Sequence, residues 1–293
     1  MYELRQVGEK TYYMDCPSKV GMYLEDKDHV WLIDSGNCRD AGKKALRLVE
    51  EQGWQVRGIF NTHPHADHVG GNRCIQQRTG CPAYVYGPDL VFVQNTPLLN
   101  VLLFGARPCG ELKHKFLQAE QGEALAMTPE ILPAGLELFP CPGHSLSMVA
   151  IHTSDDVWFV ADAVTSAATL EKYPVTFILD VEQHRESLRR MQSLEGRLFV
   201  PSHGEPVTDF AALIALNLKK MDEIMALLLE LCLQPRNFEA ILQLVFQRYG
   251  MTMDVAQYVL VGDTIRSYLS LLHDQDKLDI VITDSVLYWQ TKK

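Results

Sequence analysis

Short apolar runs alternate with helical stripes over the first two thirds of the chain, and the pattern changes near residue 209. Residues 20–24 and 30–34 read as two strands joined by the polar turn 25–29. Asp40 is placed to cap a helix on which Ala45, Leu46 and Val49 recur at helical spacing, and Gly53 sits where that helix stops. Residues 58–62 form a further strand that runs into a histidine cluster. Later strands are predicted at 136–139, 148–153, 157–161 and 198–200, with a helix over 181–194. Strands that alternate with helices, some of them in antiparallel pairs, predict an α/β sandwich with a mixed sheet. Residues 87–133 mix Pro, Gly and apolar positions without a period, as functional loops do. The apolar stretch 98–104 within them suits a substrate lid, core packing or a dimer contact equally.

From Asp209 the spacing of Phe210, Leu213, Ile214, Met221, Ile224, Leu228 and Leu231 predicts a long helix that Pro235 ends. Asn237 starts a second helix, stopped near Gly250. A third covers about 254–273, and a hairpin follows at 278–283 and 286–289. Three helices and a hairpin make a winged-helix-like tail. The expected division is a catalytic domain over 1–208 and a helical, winged-helix-like domain over 209–293.

Composition narrows the function. The 293 residues are 47% hydrophobic and 22% charged, which suits a folded globular chain. The net charge of −10 makes a general nucleic-acid or anionic-membrane binder a poor fit. No apolar run approaches the roughly 18 residues of a membrane span. Nothing near the start resembles a secretory leader, and seven cysteines form no C-x-x-C pair. These features predict a cytoplasmic protein with reduced thiols. Cys141 reads as a buried, inert thiol.

The chemistry gathers in His63-Pro64-His65-Ala66-Asp67-His68, directly after a strand. Pro64 biases His63 towards extended backbone, where residues two apart share a side, so His63 and His65 can grip one ion. A turn after Ala66 sends Asp67 and His68 towards an adjacent ion. Imidazole and carboxylate together suit zinc, and also iron or manganese. Further donors follow other predicted strands: His144 in P-G-H-S, Asp162 after 157–161, and His203 in S-H-G. His29, His114, His152, His184 and His273 have no partner at such spacing, and His184 is expected on a solvated helix face.

Five motifs in this order, D-S-G at 34–36, T-H-P-H-A-D-H at 62–68, P-G-H-S at 142–145, Asp162 and S-H-G at 202–204, resemble the metallo-β-lactamase-fold hydrolase superfamily over about residues 1–210. The resemblance implies a four-layer αβ/βα sandwich with a dinuclear site at one end of two central sheets. It implies His63, His65 and His144 on one metal, Asp67, His68 and His203 on the other, and Asp162 bridging. It also implies that Asp34 holds a ligand histidine by a hydrogen bond. Asp162 stands where some antibiotic-destroying relatives carry a cysteine, so drug hydrolysis is not the expected role.

Two divalent ions, two aspartates and a bridging hydroxide leave such a site near +1, and metal brings the pKa of water towards about 7. The expected activity is therefore hydrolysis of an ester-like bond of a small molecule (lactone, thioester, amide or phosphoester) by a metal-bridging hydroxide. The resemblance suggests that Asp67 receives a proton or relays it to the leaving group, and Tyr173, in a loop after Asp162, is a candidate oxyanion donor. Two alternatives are a single-stranded RNA endonuclease of the same fold and a metal-sensing regulator that binds nucleic acid through the tail. Residues 209–293 carry eight basic against eleven acidic side chains, and Arg266 is the sole cation of the third helix, which disfavours both. The tail is expected to shape the substrate entrance or a homodimer interface.

Overall fold

A computed structural model describes residues 2–292. Seven strands form the first sheet in sequence order: β1 (Glu3–Gln6), β2 (Thr11–Asp15), β3 (Val20–Leu24), β4 (His29–Ile33), β5 (Gln55–Asn61), β6 (Ala83–Tyr86) and β7 (Leu125–Met127). The pairs from β1 to β4 are antiparallel, and those from β4 to β7 are parallel. Each parallel step needs a crossover. These carry α1 (Arg39–Glu51), then α2 (Ala66–Val69) and α3 (Asn72–Thr79), then α4 (Leu90–Gln94) and α5 (Pro97–Phe104). The second sheet has the order β11-β10-β9-β8, from β8 (Leu136–Pro140), β9 (Val149–Thr153), β10 (Val157–Ala161) and β11 (Leu198–Pro201). Between β10 and β11 run α6 (Ala167–Lys172) and α7 (Val181–Met191).

The period-2 alternation of the strands explains the layers. On β3 and β4, Val20, Met22, Val30 and Leu32 face α1 and α3, where Ala45, Leu46, Val49 and Ile75 close the outer core. Tyr23 and Ile33 point the other way, into a core shared with Val149, Ile151, Val157, Phe159 and Val200 of the second sheet. Trp158 and Val160 then face outwards, towards α7 and the tail. Helix, sheet, sheet and helix follow in turn, which is the four-layer αβ/βα architecture expected from the motifs.

The tail consists of α8 (Phe210–Leu231), α9 (Phe238–Tyr249), α10 (Val255–Asp274) and the hairpin β12 (Leu278–Thr283) and β13 (Val286–Thr291). Asp209, Asn237 and Asp254 cap the three helices through their side chains. Ile214, Ile224, Leu228, Ile265 and Leu272 belong to the same buried cluster as Trp158, Val160 and Leu188. The tail thus supplies part of the outer helical layer over the second sheet.

Several local readings need correction. The α1 cap is Cys38, whose backbone is extended; Asp40 lies inside the first turn, 2.9 Å from Lys43. Residues 87–133 are not a structureless loop, because α4, α5 and β7 lie within them. On α5, Leu99 and Leu103 are buried while Leu98, Val101, Leu102 and Phe104 are exposed. Arg185 of α7 reaches Asp222 of α8 at 2.7 Å and joins two helices. Phe159 fills the space between the sheets, and a Cβ on Gly21 would lie 2.8 Å from its ring. Replacing Phe159 by Ala should destabilise the protein by roughly 3–5 kcal/mol, measured by denaturant unfolding.

Candidate metal centre

Five strand ends build the site. Asp34 follows β4, His63 follows β5, His144 follows β8, Asp162 follows β10 and His203 follows β11. Two of these ends use backbone conformations that side chains rarely adopt. Asp34 has φ +65° and Ala161 has φ +50°, and the pairing of β10 with β11 shifts register at Ala161. The resulting kink turns Asp162 towards the histidines.

All seven residues expected from the sequence come together, in two groups. The donor atoms of His63, His65 and His144 lie within 4.8 Å of one another, and so do those of Asp67, His68, Asp162 and His203. Asp162 stands between the groups. Its Oδ2 is 3.9 Å from His63 Nε2, 3.4 Å from His144 Nε2, and 3.5 Å from the Nε2 atoms of His68 and His203.

Hydrogen bonds on the far side of the ring orient four of the five imidazoles. His68 Nδ1 donates to Asp34 Oδ2 at 2.8 Å, His144 Nδ1 to the Phe177 carbonyl at 3.0 Å, and His203 Nδ1 to the Pro17 carbonyl at 2.7 Å. In each case Nε2 is left facing the cluster. Asp34 also accepts from the backbone and hydroxyl of Thr62, both at 2.8 Å, and the Thr62 hydroxyl lies 3.1 Å from His63 Nδ1. One carboxylate therefore anchors His68 directly and His63 through Thr62.

Charge separates the two groups. Burial lowers His63 well below the usual imidazole range and brings His65 to about 4 and His144 to about 3. These three rings are neutral at pH 7, the form that binds metal. Burial also pushes His68 down, but Asp67, Asp162 and Asp34 outweigh it and raise it well above the usual value. Asp162 raises His203 to about 10 against the opposing effect of burial. Burial opposes ionisation of Asp67 and Asp162, yet His68 and His203 hold both carboxyls well below the usual carboxylate range.

These residues fit divalent cations. His63 Nε2 and Asp162 Oδ1 are buried without a hydrogen-bond partner, a costly state for polar atoms that an ion relieves. Nitrogen and carboxylate donors in this number match zinc, iron or manganese.

A cavity of about 300 Å³ reaches both groups, with His144, Asp162 and His203 in its wall. Tyr173 is also in that wall, at the C-terminal end of α6, and is 46% exposed. His184 requires a correction. It is 5% exposed and lines the cavity, because it shares a buried stripe of α7 with Val181, Ser187, Leu188 and Met191. The spacing of that stripe is legible in the sequence, but treating the histidine as a polar residue hides it. Gly143, at φ +125°, permits the approach, since a Cβ there would lie 2.2 Å from the His184 backbone nitrogen.

Residues 16–203 match the sequence model of the metallo-beta-lactamase superfamily. The chain belongs to that superfamily. Among its relatives is a protein from Hyphomonas neptunium named hydroxyacylglutathione hydrolase, 29% identical over 150 residues. That match covers 51% of this chain and 48% of the relative, so the chain spans about half the length of that protein. A probable metallo-hydrolase of Bacillus subtilis is 24% identical over 227 residues, which cover 70% of this chain and 92% of the relative. Two superfamily structures show the same fold over almost the whole chain, tail included. A beta-lactamase domain protein from Burkholderia ambifaria has a TM-score of 0.75 at 17% identity, covering 99% of this chain and 94% of its own. A metallo-beta-lactamase family protein from Thermus thermophilus has a TM-score of 0.71 at 16% identity, covering 94% of each.

Asp34→Ala removes the group that orients His68 and His63. It should weaken divalent-metal binding roughly 10- to 100-fold, measured by competition with a chromogenic chelator. Unchanged affinity would mean that the rings are held by packing alone.

Proposed function

We propose that this chain is a dinuclear metal-dependent hydrolase of the metallo-beta-lactamase superfamily that cleaves an ester-like bond of a small molecule. One observation carries the reading: two adjoining donor groups, one of three imidazoles and one of two imidazoles and two carboxylates, open on a single cavity. His63, His65 and His144 would hold one ion, and Asp67, His68 and His203 the other. Asp162, within 4 Å of the ring nitrogens of both groups, would serve the two together. Zinc is the metal these donors suit best. Bound divalent ions make water acidic near neutral pH and polarise a carbonyl or phosphoryl oxygen.

The rest is done by the chain's own side chains. Asp67 Oδ2, 3.0 Å from His203 Nε2 and 3.5 Å from His68 Nε2, is held as a carboxylate and is placed to accept the proton that the attacking water loses and then hand it to the leaving group. Tyr173, in the wall, offers its hydroxyl to the oxygen on which charge develops. The loop carrying Phe177 packs its ring edge-on against His65 and His144, at 5.3 and 5.6 Å, and keeps water from that side.

The hydroxyacylglutathione hydrolase relatives favour an acyl thioester among the bonds considered. Lys220 is the only Lys or Arg among the described lining residues, and it is held by Glu223 at 2.6 Å. A phosphate backbone would find little purchase there, so the small-molecule reading is preferred to the nuclease.

Metal analysis of the purified protein should give two ions per chain. A panel of thioesters, lactones, esters and phosphodiesters should reveal turnover by the loaded protein. Asp162→Ala or His144→Ala should lower kcat by about 1,000-fold or more while circular dichroism stays unchanged. Full activity in a folded Asp162→Ala variant would refute the assignment.

A further inference from the structure

We propose that the cavity between the donor cluster and the tail helices binds an uncharged, mainly aliphatic arm of the substrate, of about eight to ten carbons. The inference rests on the hydrolase reading above and specifies its substrate as a medium-chain acyl thioester, ester or lactone.

Volume sets the length. The cavity of about 300 Å³ holds roughly ten heavy atoms at ~30 Å³ each. That is the lower end of the range for small-molecule pockets. Its wall sets the direction. The wall includes His144, Asp162 and His203 of the donor cluster. The tail contributes Met221 and Ile224 beside the polar Asn217 from α8, and Leu260 and Val261 beside the polar Gln257 from α10. A reacting carbonyl beside the cluster therefore has the tail helices within reach of its substituent.

Charge sets the chemistry. Asp162 is the only carboxylate in the described wall, and it belongs to the donor cluster. The single lysine, Lys220, is already paired with Glu223. Burial brings His184 to about 4, so that ring is neutral. Away from the donor cluster, an occupant with a charge of its own would lose its hydration and gain no unpaired partner, which is unfavourable. Two polar atoms of wall residues, His184 Nδ1 and the Tyr268 hydroxyl, are buried without a hydrogen-bond partner. An arm carrying one hydrogen-bonding group satisfies one of them; a purely hydrocarbon arm leaves both unmet.

The test has a binding arm and a turnover arm. Calorimetry on the metal-free protein uses octanamide as the probe. Turnover of the loaded protein is measured on acetyl, butanoyl, octanoyl and hexadecanoyl thioesters of one small thiol. Octanamide should bind, and kcat/KM should rise roughly fourfold per buried methylene up to octanoyl, then fall at hexadecanoyl. Leu260→Trp, at a half-buried wall position, should lower the octanoyl-to-acetyl ratio of kcat/KM at least about tenfold and weaken octanamide binding to match. Ile224→Ala should shift the preference the opposite way, towards longer acyl groups, and it carries the test if the tryptophan variant does not fold. Turnover with a flat chain-length profile, or ratios that neither variant moves, would overturn the pocket assignment and leave the hydrolase reading standing. Octanamide binding that Leu260→Trp abolishes, with no turnover of any member of the series, would instead overturn the hydrolase reading and with it the assignment of the arm to a substrate.

Discussion

A single buried carboxylate, Asp34, ties the metal centre to the sheet that carries it. It takes three hydrogen bonds of 2.8 Å, two from Thr62 and one from His68. A buried carboxylate is tolerated there because the Thr62 amide and hydroxyl and the His68 ring replace its lost hydration. The strand ends of β4 and β5 are thereby locked to each other, and one ring of each donor group, His63 and His68, takes its direction from that lock. Asp34 needs a left-handed backbone to reach them, and the surrounding sheet holds that conformation in place.

The second anchor comes from the far end of the chain. Thr264 of α10 accepts from the Ile178 backbone at 2.9 Å, and its hydroxyl faces the carbonyls of Leu260 at 3.2 Å and Thr176 at 3.3 Å; Ser267 accepts from the Val181 backbone at 2.9 Å. The Phe177 carbonyl between them receives the proton of His144. The tail thus reaches the donor cluster through hydroxyls on one face of α10, in addition to lining the cavity. This gives physical content to the likeness with whole-length superfamily structures: the appended helices complete the layer over the second sheet.

Much of this is legible in residue order alone. A histidine before Pro64, a glycine pair after His68 and donors at successive strand ends are local statements, and local chemistry fixes them. The three tail helices are legible because Asp209, Asn237 and Asp254 mark their starts and apolar stripes run their length. Other features depend on what lies across a gap. His184 is missed although Val181, Leu188 and Met191 mark the buried side of its helix, because a histidine counted as polar is assigned to the opposite face. The short strands β1, β2, β6 and β7 escape sequence reasoning because three to five residues give little alternation to detect, and their neighbours in the sheet define them. Asp40 looks like a cap by type, yet Cys38 occupies the capping position by backbone direction.

The shared apolar cluster of tail and second sheet has a further consequence. Ile224 and Val261 are both core residues and cavity wall. Remodelling the interior to admit a bulkier guest therefore carves into the same packing that keeps the molecule folded. Tolerance for new chemistry and thermal robustness are coupled here through the same side chains.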